Sequence, residues 1–181
     1  MKRIVCLLLA LLALSVSLIP SLGEGDGQGR TIDLEHDLFL VPVGSDSWDT
    51  APGEQDTALH FFPEAGRMIQ DGAYLWGSES MPEGFAPYAG EERHVLHIQC
   101  IKNPAGEQYV PLFTSFDALF YFLGTDIHVG VASFQDAAAM AHTQVADVVD
   151  GQQVIVDCSG IVVAPGILNT IIPLEQLPAA D

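Results

Sequence analysis

Apolar and polar positions alternate in blocks along this chain, and most blocks are short enough to be strands. Leu38-Phe39-Leu40-Val41-Pro42-Val43 reads as a strand closed by Gly44, with Pro42 favouring an edge or a strand end. From Gly44 to Gly90 the prolines and glycines are dense. The apolar islands there are brief, Leu59-His60-Phe61-Phe62 and Ala73-Tyr74-Leu75-Trp76, so loops with one or two short strands are expected. The pattern then sharpens. His94 to Ile101 alternates with Leu96, Ile98 and Cys100 on one face, Asn103-Pro104-Ala105-Gly106 is a turn, and Gln108 to Phe113 is the returning strand of an antiparallel hairpin.

Helical spacing begins after the hairpin. Ser115 is a good N-cap, Asp117 faces the positive end of the helix dipole, and Phe116, Leu119, Phe120, Phe122 and Leu123 carry a short, strongly apolar helix to Gly124. A strand over Ile127 to Val131 follows. Ser133 then caps a second helix through Ala137, Met140, Ala141, Val145 and Val148-Val149, closed by Gly151. Val154-Ile155-Val156 and Ile161-Val162-Val163 add strands on either side of a Ser159-Gly160 turn. Strands and helices in this order predict an α/β fold of the α+β type, a single domain with a mixed β-sheet covered by helices.

The amino terminus changes the picture of where the domain works. Met1-Lys2-Arg3 is a charged start, Ile4 to Pro20 is apolar apart from two serines, and Ser21-Leu22-Gly23 offers small residues for cleavage before Glu24. The expectation is a signal peptide over 1–23, a flexible leader over 24–35 and the domain over 36–181, in a secreted or extracytoplasmic protein. The alternative is an N-terminal membrane anchor, because the apolar run is near the lower limit for spanning a bilayer.

The chain has 181 residues, 6 Lys and Arg against 24 Asp and Glu, and a net charge of −18. Removing the signal takes basic residues and no acids, leaving the remainder more acidic still. Such a surface repels nucleic acid and anionic lipid, so neither nucleic acid nor, after signal cleavage, the membrane is an expected partner. Cys100 and Cys158 remain after cleavage, and each lies in an apolar segment. An even pair in an exported protein fits a disulfide, and it fits two buried thiols equally well, since a bridge needs Cα atoms within roughly 7 Å.

Three stretches resemble the N-terminal domain of the SseB (enhanced serine sensitivity protein) family: Phe39-Leu40-Val41-Pro42-Val43, Gln108-Tyr109-Val110-Pro111-Leu112-Phe113-Thr114-Ser115, and Gly160-Ile161-Val162-Val163-Ala164-Pro165-Gly166. The resemblance covers about residues 36–175. It departs at Ala164, where the family usually has Asn, and in the signal, since the family is mostly cytoplasmic and bacterial. It implies an α/β domain with no agreed catalytic residues.

Chemistry is sparse. His94 and His97 are three apart on one strand and point to opposite faces, which rules against a shared metal without a bulge. Asp126 and His128 share a face, as a general acid/base pair would. Glu24, Asp26, Gln28, Gly29 and Glu35 match a calcium loop only in spacing. Asp157 beside Cys158 is expected to raise the thiol pKa, making it a poor nucleophile. No Gly-x-Ser-x-Gly elbow is present. Trp48 and Trp76, in the loop-rich stretch, are placed for recognition, whereas the aromatics from Phe113 to Phe122 fit a buried helix. The expected function is that of a non-catalytic binding module with a protein partner or a small-molecule ligand and no cofactor. The alternatives are an extracytoplasmic hydrolase using Asp126 and His128 or a metal-dependent enzyme with the metal held by scattered acids, and a membrane-anchored structural module.

Overall fold

The computed structural model describes residues 31–45, 58–73, 86–87, 96–125, 127–143, 145–149 and 152–179. The chain divides at Asp33 and Leu34, and the unit that begins at Leu34 is the α+β domain described below. The proposed signal over 1–23 lies outside the described residues. Among those that are described, no helix is long and apolar enough to cross a membrane.

The strands are β1 (Leu38–Ser45), β2 (Ala58–Phe61), β3 (Ala86–Pro87), β4 (Leu96–Ile98), β5 (Ile101–Lys102), β6 (Gln108–Leu112), β7 (His128–Ser133), β8 (Val145–Val149), β9 (Gln152–Val156), β10 (Gly160–Val163) and β11 (Thr170–Pro173). The helices are α1 (Pro63–Gln70), α2 (Phe116–Leu123) and α3 (Phe134–His142), with a 3-10 turn over Leu174–Gln176. A five-stranded sheet has the order β3-β2-β7-β1-β4, a four-stranded sheet β11-β10-β6-β5, and β8 pairs with β9. The mixed character expected of the sheet is present in both larger ones. β7 is antiparallel to β1 and parallel to β2, and β10 is antiparallel to β11 and parallel to β6.

A backbone bridge joins the two larger sheets. Leu40 donates to Phe113 O and Phe113 donates to Leu40 O, both at 2.9 Å. On its other side Leu40 is in register with Val131. Pro42 lies two residues further on, in an inner strand rather than at the edge or strand end its sequence suggested. Its carbonyl accepts from Gln99 N at 2.8 Å, and β4 begins to pair only at Val43. Pro42 therefore meets the β4 side through its carbonyl alone, and its missing N–H removes the reciprocal hydrogen bond at the point where the β4 ladder begins.

Around that junction the core gathers Leu38, Leu40, Leu59, Ala65, Phe113, Phe116, Leu119, Val129 and Val131. Alternation explains the set. Leu40 is in register with Val131 and Leu59 with Val129, so their side chains share one face of the sheet. Phe116 and Leu119 on α2 complete that face. Each buried side chain of this size contributes about 1.5–3 kcal/mol over its exposed state.

Several elements differ from the sequence pattern, each for a physical reason. α1 stands where loops and strands were expected. Pro63 at its first position and Glu64 in its first turn are helix-start signals, but its N-cap, Phe62, has no capping side chain. The cap comes from Asp136, which accepts from Glu64 N and Ala65 N at 2.9 Å each. The same carboxylate accepts from Ser133 N and Ser133 Oγ at 2.9 Å, while Ser133 Oγ accepts from Asp136 N at 3.0 Å, a capping box at the start of α3. α3 ends at His142 instead of running to Gly151. The β-branched Val145, Val148 and Val149 extend as β8 along β9, an arrangement that stiff χ1 angles favour over helix.

The strand expected over 94–101 divides at Gln99, with Leu96–Ile98 joining β1 and Ile101–Lys102 making the hairpin with β6. Gly160 is not a turn between two paired strands. It opens β10 at φ 146°, and a Cβ there would stand 2.2 Å from Ile172 O on β11. β11 is an additional strand beyond the sequence pattern.

Two outcomes test this reading. Asp136→Ala should cost about 3 kcal/mol, since it leaves the Glu64, Ala65 and Ser133 amides without their acceptor, two of them in buried surroundings, whereas Ser133→Ala should cost about 1 kcal/mol. Urea unfolding measures both, and equal losses would show that α1 does not depend on Asp136. Gly160→Ala should lower stability by about 2 kcal/mol or more, with amide exchange rising first along β11.

Candidate functional site

β6 is the strand on which the domain's reactive side chains converge, because both of its neighbours bring a cysteine to it. Tyr109 is in register with Ile101 on β5 and with Gly160 on β10. Cys100 immediately precedes Ile101, and Cys158 lies two residues before Gly160. Gln108 O accepts from Ser159 N at 2.7 Å, which draws the β10 entrance onto β6. Cys158 is buried, and its thiol lies 3.2 Å from Gly160 O and 3.5 Å from Gln108 O. Cys100 is half-buried, and both cysteines are free thiols.

The side chain of Cys100 hydrogen-bonds Cys158, and that bond is the largest influence on the Cys158 thiol. Burial opposes ionisation, while backbone groups of Gly160, Val110 and Ser159 favour it, and the balance brings the pKa from 9.0 down to about 6. The expectation that Asp157 would raise it is therefore corrected. Asp157 is exposed, and hydrogen bonds to the thiolate outweigh a neighbouring carboxylate facing water. The Cys158 thiol is thus more acidic than an ordinary thiol, where the sequence argued for the reverse. Sequence separation hid the pair, since only the two registers on β6 bring residues 100 and 158 together.

A polar network holds the end of this strand. Asn103 Nδ2 donates to Glu107 Oε2 at 2.7 Å, Asn103 Oδ1 accepts from Ala105 N and Glu107 N at 2.9 and 3.0 Å, and Tyr109 donates to Glu107 Oε2 at 3.0 Å. The Glu107 hydrogen bond, followed by burial, raises the Tyr109 pKa from 10.0.

The other residues singled out by sequence do not assemble into a site among the described residues. Trp48, Trp76, Asp126 and His94 lie outside them, as do Glu24, Asp26, Gln28 and Gly29. His128 is buried in β7 at 4% exposure, opposite Val43, so it cannot meet an external substrate as a surface base. Among the described residues no group of three or more His, Cys, Asp or Glu side chains could hold a metal. A cleft of about 490 Å³ lies between α1 and α3, lined by Glu64, Arg67, Gln135 and Asp136. Its charges are committed, Arg67 to Glu64 and Asp136 to the two helix starts.

α2 carries the feature that apolar spacing alone missed. Phe116 and Leu119 are buried, but Tyr121 is 90% and Phe122 44% exposed. Phe122 stacks at a tilt on Phe113, with centroids 5.8 Å apart, and lies against Gly166, where a Cβ would approach its ring to 3.1 Å. Ile167, next in the turn, is 51% exposed. Ala164 and Asn169 shape that turn at φ 50° and 53°, and Asn169 Oδ1 accepts from Gly166 N at 2.8 Å.

The low Cys158 pKa has a consequence for stability. A folded-state pKa below the unfolded value contributes stability that is fully present above pH 9 and is lost as pH falls through about 6. Reduced protein should therefore gain stability relative to Cys158→Ser between pH 6 and 9. Parallel denaturant curves for the two proteins would contradict the depressed pKa.

Compared with family models, with curated proteins and with solved structures, the chain matches none.

Proposed function

We propose that this chain is an exported, non-catalytic interaction module of SseB-like character that binds a partner protein through the end of α2 and the β10–β11 turn. The observation that carries the reading is the exposure of Tyr121, Phe122 and Ile167 at the end of α2 and the β10–β11 turn. Aromatic side chains standing in water on an otherwise acidic domain are the usual anchors of a protein interface. With a net charge of −18, the fitting partner has an apolar centre and a basic rim.

Two further observations support it. The three SseB-like stretches are neighbours in space: β1 meets the end of β6 at the Leu40 and Phe113 bridge, and β6 runs parallel to β10. Phe122, on the helix after the second stretch, touches Gly166, the last residue of the third. In addition, the deep burial of His128 argues against hydrolysis by an Asp126 and His128 pair.

Tyr121→Ala combined with Phe122→Ser should leave the melting temperature close to that of the wild type. The same change should weaken binding to any partner cross-linked through this face by about 30-fold, the size of a lost aromatic anchor. Equal binding by variant and wild type would exclude this surface. A concentration-dependent rise in melting temperature with a metal or metabolite would instead favour a small-ligand site.

A further inference from the structure

The two free thiols are arranged unequally, and the inequality suggests a use. Cys158 is 5% exposed and is enclosed by the carbonyls of Gln108 and Gly160, while Cys100, which hydrogen-bonds it, is half-buried and can be reached from outside. They approach β6 from opposite sides, one through β5 and one through the entrance to β10. A bond between them would fasten the hairpin corner to the β9–β10 connection with β6 between them.

We propose that Cys100 and Cys158 are a redox-convertible dithiol that closes to a disulfide by exchange with a small-molecule disulfide, with Cys100 as the entry thiol and Cys158 as the resolving thiol. In the first step Cys100, as thiolate, attacks one sulfur of the incoming disulfide. A Cys100 mixed disulfide forms, and one small thiolate leaves. In the second, the Cys158 thiolate attacks Cys100 Sγ, the mixed disulfide breaks, and the second small thiolate leaves. The cysteines lose two electrons and two protons in all, and the small disulfide gains both as two thiols. The division of labour follows access: the incoming molecule reaches Cys100 first, and the backbone groups of Gly160, Val110 and Ser159, which stay in place after Cys100 has reacted, favour the Cys158 thiolate for the internal step.

The reaction is read on the full chain with Cys6→Ser, so that only this pair can respond. Reduced protein is placed in glutathione buffers of increasing oxidised fraction, quenched in acid, alkylated and weighed intact. The expected result is loss of both alkylatable thiols with no added glutathione, and a Cys100–Cys158 cross-linked peptide after proteolysis. With Cys158→Ser, glutathione should remain attached at Cys100. With Cys100→Ser, addition at Cys158 should be at least tenfold slower than that at Cys100 in the reciprocal variant. The proposal is overturned if the parent chain keeps two alkylatable thiols in fully oxidising buffer, or if it accumulates a stable glutathione adduct. Faster addition at Cys158 than at Cys100 would overturn the assigned order. Should either variant fail to fold, the mass and peptide map of the parent chain still decide whether the bond forms.

Discussion

The exchange of hydrogen bonds between Leu40 and Phe113 is the junction on which the rest of this domain depends. Leu40 spends its backbone groups toward β6 while its register with Val131 keeps β1 beside β7, so one residue belongs to both sheets. Everything nearby is arranged around that double commitment. β4 takes over the same side of β1 at Val43, and Pro42 occupies the changeover, joined to Gln99 through its carbonyl alone. Phe113 then supports Phe122 from below, so the junction that joins the sheets also sets the position of the exposed aromatic end of α2.

Local signals were read well wherever cause and effect were close in sequence. Ser115 and Ser133 cap the helices that follow them, Gly124 ends α2, and Asn103 to Gly106 turn the hairpin, because each acts within four residues of itself. α1 was missed although Pro63 and Glu64 announced it, since the group completing its first turn is 72 residues away. The valines after Thr143 fitted a helical period as well as a strand, and only pairing with β9 decides between them. Periodicity likewise identified α2 but could not tell that its last turn passes beyond the core, which left Tyr121 and Phe122 looking buried.

Reactive chemistry was the least legible part. Asp157 is the obvious neighbour of Cys158 in the chain, yet the groups that govern the thiol come from Cys100, Val110 and the following backbone. Acidity here is a property of strand register. The same holds for His128, whose spacing from Asp126 suggested an acid/base pair until β7 proved to be an inner strand. Ala164 is a different case. The position takes a left-handed conformation at φ 50°, which Asn tolerates better than Ala, so nothing in the residue type announces the turn.

Asp136 also sets an order of events during synthesis. A chain that emerges amino terminus first presents Glu64 and Ala65 long before the carboxylate that will receive their amides, so α1 has no completed first turn until α3 has followed. β1 waits in the same way for β7, its partner along six successive residues. α1 and β1 therefore acquire their long-range partners only after the second half of the chain has been made. Folding of these elements is deferred until β7 and α3 arrive.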